Sequence, residues 1–127
     1  MNDLVIDASA LLAILAQEPN AERWSVALKN ATISAVNLSE VVAKLADTGM
    51  PEAEIRSALD PLGFDVVPFD LTQAYEAGLL RPQTKEIGLS LGDRACLALA
   101  RSRKSPVLTA DRAWARLSIG VDVQLIR

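Results

Sequence analysis

Four carboxylates stand where the chain could gather them: Asp7, Glu40, Asp93 and Asp111. Taken singly, each has a structural explanation. Asp7, Asp93 and Asp111 open helical stretches, where an acid caps unpaired N–H groups and faces the positive end of the helix dipole. Glu40 stands four residues before Lys44, the spacing of a helical ion pair. Taken together they point to chemistry. Carboxylates converging on one place repel unless they are protonated or neutralised, and a divalent cation neutralises them. The chain has no histidine and a single cysteine, so the ligand set is all oxygen, which suits Mg²⁺ or Mn²⁺ rather than zinc or copper. Such an ion binds phosphate oxygens and makes hydroxide from its own water, so the missing histidine base is no obstacle. The chemistry is metal-assisted hydrolysis of a phosphodiester.

The surrounding pattern supplies elements that would bring these acids together. Leu4-Val5-Ile6 reads as a short strand buried on both faces. The chain then turns at Ala8-Ser9 into an apolar helix, leaving Asp7 at the junction. Ala21–Lys29 reads as a second short helix carrying Trp24, and Ala31–Ser34 as a strand. The helix after that strand runs to Ala46, and Gly49-Met50-Pro51 ends it. Its apolar stripe is Leu38, Val41, Val42 and Leu45, from which Glu40 points away. Pro51 suits the first position of a helix over Glu52–Leu59. Asp65–Phe69 is a third strand, and Asp70 caps a helix through Leu80 or beyond, with Pro82 near its end. The glycine-punctuated Gly88–Gly92 precedes a helix from Asp93 to Arg103, on which Asp93 shares the inward stripe with Cys96 and Ala100. Arg94 and Arg101 share a more exposed stripe. Ser105–Leu108 is a fourth strand, Asp111 opens a short helix to Leu117, and Val121–Leu125 closes as a fifth strand. Alternating strands and helices predict a parallel sheet covered on both faces. Asp7, Asp93 and Asp111 then share its carboxyl edge, where open α/β sheets place their ligands.

Composition narrows the field. At 127 residues, half of them apolar, the chain is expected to be one domain, 1–127, with its own core. Met1-Asn2-Asp3 carries no basic leader, and the block Ala10–Ala16 is too short to span a bilayer. No membrane is implicated, and one cysteine without a disulfide partner suits the reducing cytoplasm. Serine-protease and papain-like arrangements fall with the absence of histidine. No phosphate-binding glycine loop follows any strand, and there is no Gly-x-Ser-x-Gly elbow. Net charge is −3, but residues 1–80 hold 4 basic and 12 acidic side chains while residues 81–127 hold 9 and 4. The basic C-terminal third suits an anionic partner, or electrostatic pairing between the two parts.

Four segments in this order are similar to the PIN-domain nucleases, and specifically to the VapC-like toxins of bacterial toxin–antitoxin modules: Val5–Ala10, Ile33–Val41, Leu89–Ala100 and Val107–Trp114. The resemblance spans essentially the whole chain. It implies a PIN-like three-layer α/β/α sandwich around a central, mostly parallel five-stranded sheet. It also implies a Mg²⁺- or Mn²⁺-dependent endoribonuclease, usually a homodimer, blocked by a VapB-like antitoxin whose C-terminal segment wraps the toxin. The family's acidic cluster falls on Asp7, Glu40, Asp93 and Asp111, with Ser9 and Thr109 as hydroxyl neighbours of the metal site. On this reading Asp7 and Asp93 are the principal ligands, and Glu40 and Asp111 complete the outer shell, position water or hold a second ion. Arg94, Arg112 and Arg116 are candidates for RNA phosphates. Two alternatives stand beside the toxin: a catalytically silent PIN-fold binding module, and a PIN nuclease of RNA or DNA processing. Cys96 reads as a small buried apolar residue.

Overall fold

A computed structural model describes residues 4–127; Met1–Asp3, and the reading made of them, lie outside the described residues. Among the described residues, five short strands, β1 (Leu4–Ile6), β2 (Ala31–Ser34), β3 (Asp65–Val67), β4 (Val107–Thr109) and β5 (Val123–Leu125), form one sheet in the order β3-β2-β1-β4-β5. Every neighbouring pair is parallel. β1 is therefore central, and β2 and β4 lie on its two sides. The chain winds outward through β2 and β3 in one direction and through β4 and β5 in the other, so the strand order reverses at β1. That reversal opens a crevice at the carboxyl ends of β1 and β4.

Among the described residues, seven α-helices connect and cover the strands: α1 (Ala8–Leu15), α2 (Ala21–Ser25), α3 (Ala35–Asp47), α4 (Glu52–Leu59), α5 (Leu71–Leu79), α6 (Arg81–Thr84) and α7 (Leu91–Arg103). Successive strand residues face opposite sides, and the core divides accordingly. Leu4, Ile6, Ile33 and Leu108 pack with α1, α2, α4 and Val41 of α3. Val5 and Val107 pack on the other face with Ala77, Cys96–Ala100 and Trp114. The result is the expected α/β/α sandwich, and β1, buried on both faces, reads as its sequence predicts.

Several boundaries differ from the sequence reading for local reasons. The second helix stops at Ser25 and tightens into a 3-10 helix, Val26–Asn30. The third strand ends at Val67, before Pro68, which has no N–H for a ladder. α5 ends at Leu79, and Pro82 lies in the first turn of α6, where its missing N–H costs nothing. Pro51 is the N-cap of α4 rather than its first residue. α7 begins at Leu91, two residues earlier than predicted, because Ser90 is its cap. The last strands are Val107–Thr109 and Val123–Leu125, and the predicted helix between them is a 3-10 helix, Arg112–Arg116. Gly49, with φ of +91°, ends α3 in a conformation that favours glycine. No helix among the described residues is long and apolar enough to cross a membrane.

Candidate active site at the carboxyl edge of the sheet

Asp7 occupies the N-cap position of α1, yet its side chain closes no capping hydrogen bond. Its Oδ2 instead accepts from Ser9 Oγ at 2.5 Å and from Thr109 Oγ1 at 2.9 Å. The two hydroxyls lie 3.2 Å apart, and each also accepts a backbone N–H, Ser9 from Ala110 and Thr109 from Asp111, both at 3.0 Å. Each hydroxyl proton can then point at Asp7. Asp7 is only 4% exposed. Burial, with the nearby Asp93 charge adding, holds its carboxyl above the ordinary value of 3.8, against the lowering effect of the two hydroxyls.

Asp93 lies at the third position of α7 and closes a capping box. Its Oδ2 accepts from Ser90 N at 2.9 Å, while Ser90 Oγ accepts from Asp93 N at 3.2 Å. The box fixes the rotamer of an acid that also lines the cleft beside Asp7. Glu40, on α3, accepts at Oε1 from Asn37 Nδ2 at 2.8 Å. Among the described residues it makes no ion pair with Lys44. The α3 stripe also differs from expectation: Asn37 and Val41 are its buried residues, whereas Val42 is 36% exposed. Leu38 and Val42 line a separate apolar groove with Met50, Ile55 and Phe64.

Asp7, Ser9, Glu40 and Asp93 line one cleft of about 440 Å³, together with Ala8, Leu12, Ala43, Lys44 and Asp47. Cys96 lies buried beneath it, and burial together with the charges of Asp7, Asp93 and Glu40 pushes its thiol well up, so it stays neutral. Asp111 is not in the lining. It is exposed, and its Oδ1 accepts from Ala113 N at 2.9 Å as cap of the 3-10 helix. It touches the cluster only through its backbone N–H on Thr109. Among the described residues no three acidic side chains form a ready ligand set; three of the four instead face a common space.

The basic side chains separate. Arg112 and Arg116 are exposed just after β4, at the carboxyl edge. Arg94 is half-buried: its Nη1 donates to the Ala77 carbonyl of α5 at 3.1 Å, and its Nε is buried without a hydrogen-bond partner among the described residues. It braces α5 against α7 rather than standing on an open stripe. Arg101, Arg103 and Lys104 lie at the far end of α7, away from the cleft.

Sequence reasoning missed Asn37, Gly92 and Asp47. Asn37 carried a signal, an amide at i−3 from Glu40 and i−4 from Val41, on the core side of a helix.

A buried acid at the strand-order reversal, two further acids across a shared cleft and a parallel sheet in the order described define a family. The PIN domain model matches residues 4–120, and the chain belongs to the PIN domain family. Solved structures share the fold. A chain of the DNA-bound VapBC structure from Salmonella typhimurium superposes with a TM-score of 0.79 at 20% identity, covering 100% of both chains. A chain of the toxin-antitoxin complex from Klebsiella pneumoniae gives 0.74 at 20% identity, over 98% of each chain. VapC20 of Mycobacterium tuberculosis, a sarcin-ricin loop cleaving toxin, gives 0.74 at 18% identity, over 94% of this chain and 98% of that one. No curated protein matches the chain by sequence.

Proposed function

We propose that this cleft is the active site of a metal-dependent endoribonuclease that acts as the toxin of a toxin–antitoxin module. The observation that carries the reading is Asp7, buried at the strand-order reversal, held by Ser9 and Thr109, and sharing its cleft with Glu40 and Asp93. The carboxylates of the cleft, with neither histidine nor cysteine among its lining residues, fit a hard cation such as Mg²⁺ or Mn²⁺, which keeps several waters of its own. When bound, the ion would supply electrostatic stabilisation at the scissile phosphate and a water acidic enough to attack it. Asp7 and Asp93 would hold it, Glu40 would hold it or orient water, and Asp111 would act from the edge of the cleft. Ser9 and Thr109 keep Asp7 in one rotamer and favour its charged form. Arg112 and Arg116, exposed on the same edge, give a phosphate backbone somewhere to lie.

The partner reading rests on α3. Its Leu38–Val42–Ala46 face lines an apolar groove of about 680 Å³, while Glu40, Lys44 and Asp47 on another face line the cleft. An antitoxin segment seated in the groove and passing over α3 would reach the carboxylates. Self-association has its own candidate surface: Leu71, Tyr75 and Leu79 of α5 are 75%, 67% and 72% exposed, on one face of one helix, which suits a homodimer. A catalytically silent binding module is the second reading, in which the α3 groove and the exposed α5 face alone carry the function.

The test is cleavage of total cellular RNA by antitoxin-free protein with Mg²⁺ or Mn²⁺, with EDTA, and with Asp7→Asn. Discrete fragments that vanish with EDTA and with the variant support the nuclease. Intact RNA throughout, with no metal binding by calorimetry, leaves the binding module.

A further inference from the structure

Glu40 is an exposed carboxylate of the cleft, as is Asp47, and an exposed glutamate ordinarily samples many rotamers. Two contacts hold it in place. Asn37, one turn earlier on α3 and fully buried, donates through Nδ2 both to Glu40 Oε1 at 2.8 Å and to the Gly92 carbonyl oxygen at 3.0 Å. Gly92 lies in the first turn of α7, immediately before Asp93. A Cβ at position 92 would fall 2.2 to 2.5 Å from all three atoms of the Glu40 carboxylate group. The carboxylate thus occupies the volume that any side chain at 92 would fill, against the N-terminal turn of α7, where the helix dipole favours negative charge.

The orientation of the amide follows from its partners. A carbonyl oxygen and a carboxylate oxygen both only accept, so Asn37 must turn its nitrogen to them. Its Oδ1 is left buried with no hydrogen-bond partner among the described residues. An apolar residue would fill this position without that orphaned oxygen, so the amide is kept for what its nitrogen does.

We propose that Asn37 is a positioning residue. It clamps the Glu40 carboxylate onto Gly92, so that Glu40 of α3 and Asp93 of α7 meet the cation as one pre-ordered unit. The proposal rests on the reading of the cleft as a metal site, and it assigns the order of that site to an amide that touches neither metal nor RNA.

The test is Mn²⁺ binding to the whole, metal-free chain by calorimetry, without RNA, for wild type, Asn37→Ala, Asn37→Leu, Glu40→Gln and the Asn37→Ala/Glu40→Gln pair. Asn37→Leu conserves volume in case Asn37→Ala does not fold. Loss of a residue that orients a metal ligand weakens affinity roughly tenfold, and that is the expected effect at position 37. In the Glu40→Gln background the same substitution is expected to change affinity less than about twofold, because the two act through one contact. In metal-free wild type, NMR should find the Asn37 side-chain amide protons protected from exchange, with their resonances moving in Glu40→Gln. Equal weakening by Asn37→Ala with and without Glu40 overturns the clamp and leaves the metal site standing. Unchanged Mn²⁺ affinity in Glu40→Gln removes Glu40 from the metal site, and the role of Asn37 with it. If neither variant at 37 folds, Gly92→Ala displaces the same carboxylate, and additivity with Glu40→Gln would overturn the proposal.

Discussion

Thr109 Oγ1 stands 2.9 Å from Asp7 Oδ2, joining residues 102 apart in sequence across the adjoining ends of β1 and β4. The bond is one of two hydroxyl donations that lower the pKa of Asp7 against the upward push of burial. Removing one donor lets burial prevail further. Thr109→Val is therefore expected to raise the pKa of Asp7, and the acidic limb of Mn²⁺ binding should move to higher pH. A binding curve measured by calorimetry from acid to neutral pH checks this; an unmoved limb would show that Asp7 does not control the ion.

The same burial makes Asp7 costly to the fold. Its folded-state pKa lies above its unfolded value of about 3.8, so the folded chain binds the proton more tightly. Stability contributed by this group falls as pH rises through 3.8 towards the raised value, and the penalty is complete above it. Asp7→Asn should accordingly melt higher than wild type near neutral pH without metal, with the gain fading in acid. RNA cleavage should fall at least 100-fold, beyond what loss of an outer partner to a metal ligand costs. Thermal melts at pH 3 and 7 and an RNA gel read both outcomes.

Asp111 separates two roles by stability. Its Oδ1 caps the 3-10 helix through Ala113 N, and loss of a cap costs about 1 kcal/mol. Asp111→Ala is expected to lower the melting temperature while keeping cleavage within about tenfold of wild type. Loss of cleavage at unchanged stability would move Asp111 into the metal site.

The arginines should divide in the same manner. Arg94→Ala loses a charge-assisted bond to the Ala77 carbonyl, worth about 1.5–3 kcal/mol, and should lower the melting temperature with little change in RNA affinity. Arg112→Ala and Arg116→Ala should leave stability alone, weaken RNA binding, and each reduce its salt dependence by about one counterion. Salt titrations of RNA binding distinguish the two sets.

Much of the fold was legible because its signals are local. The β-branched run before Asp7, Gly49-Met50-Pro51 and the Asp70 cap each settle a boundary within a few residues. The site was legible in its parts but not in its arrangement. Asp7, Asp93 and Asp111 all begin helices, yet one is held by hydroxyls, one closes a capping box while facing the cleft, and one caps a turn outside it. Only the side-chain partners separate them, and one of those partners, Thr109 on Asp7, lies 102 residues away. Periodicity placed Glu40 on a polar face correctly, but the missing Cβ of Gly92 that makes room for it belongs to another helix. Arg94 looked exposed because its partner is a backbone carbonyl, to which residue type gives no clue.

The central place of β1 carries a consequence in time. A chain made from its N-terminus completes β1 first, but that strand cannot gain its second neighbour until β4, at residues 107–109, has been synthesised. Asp7 likewise lacks Thr109 until then. A nascent chain thus carries Asp7 for some hundred residues of synthesis without the surroundings that order it, and the order of the cleft must await Thr109.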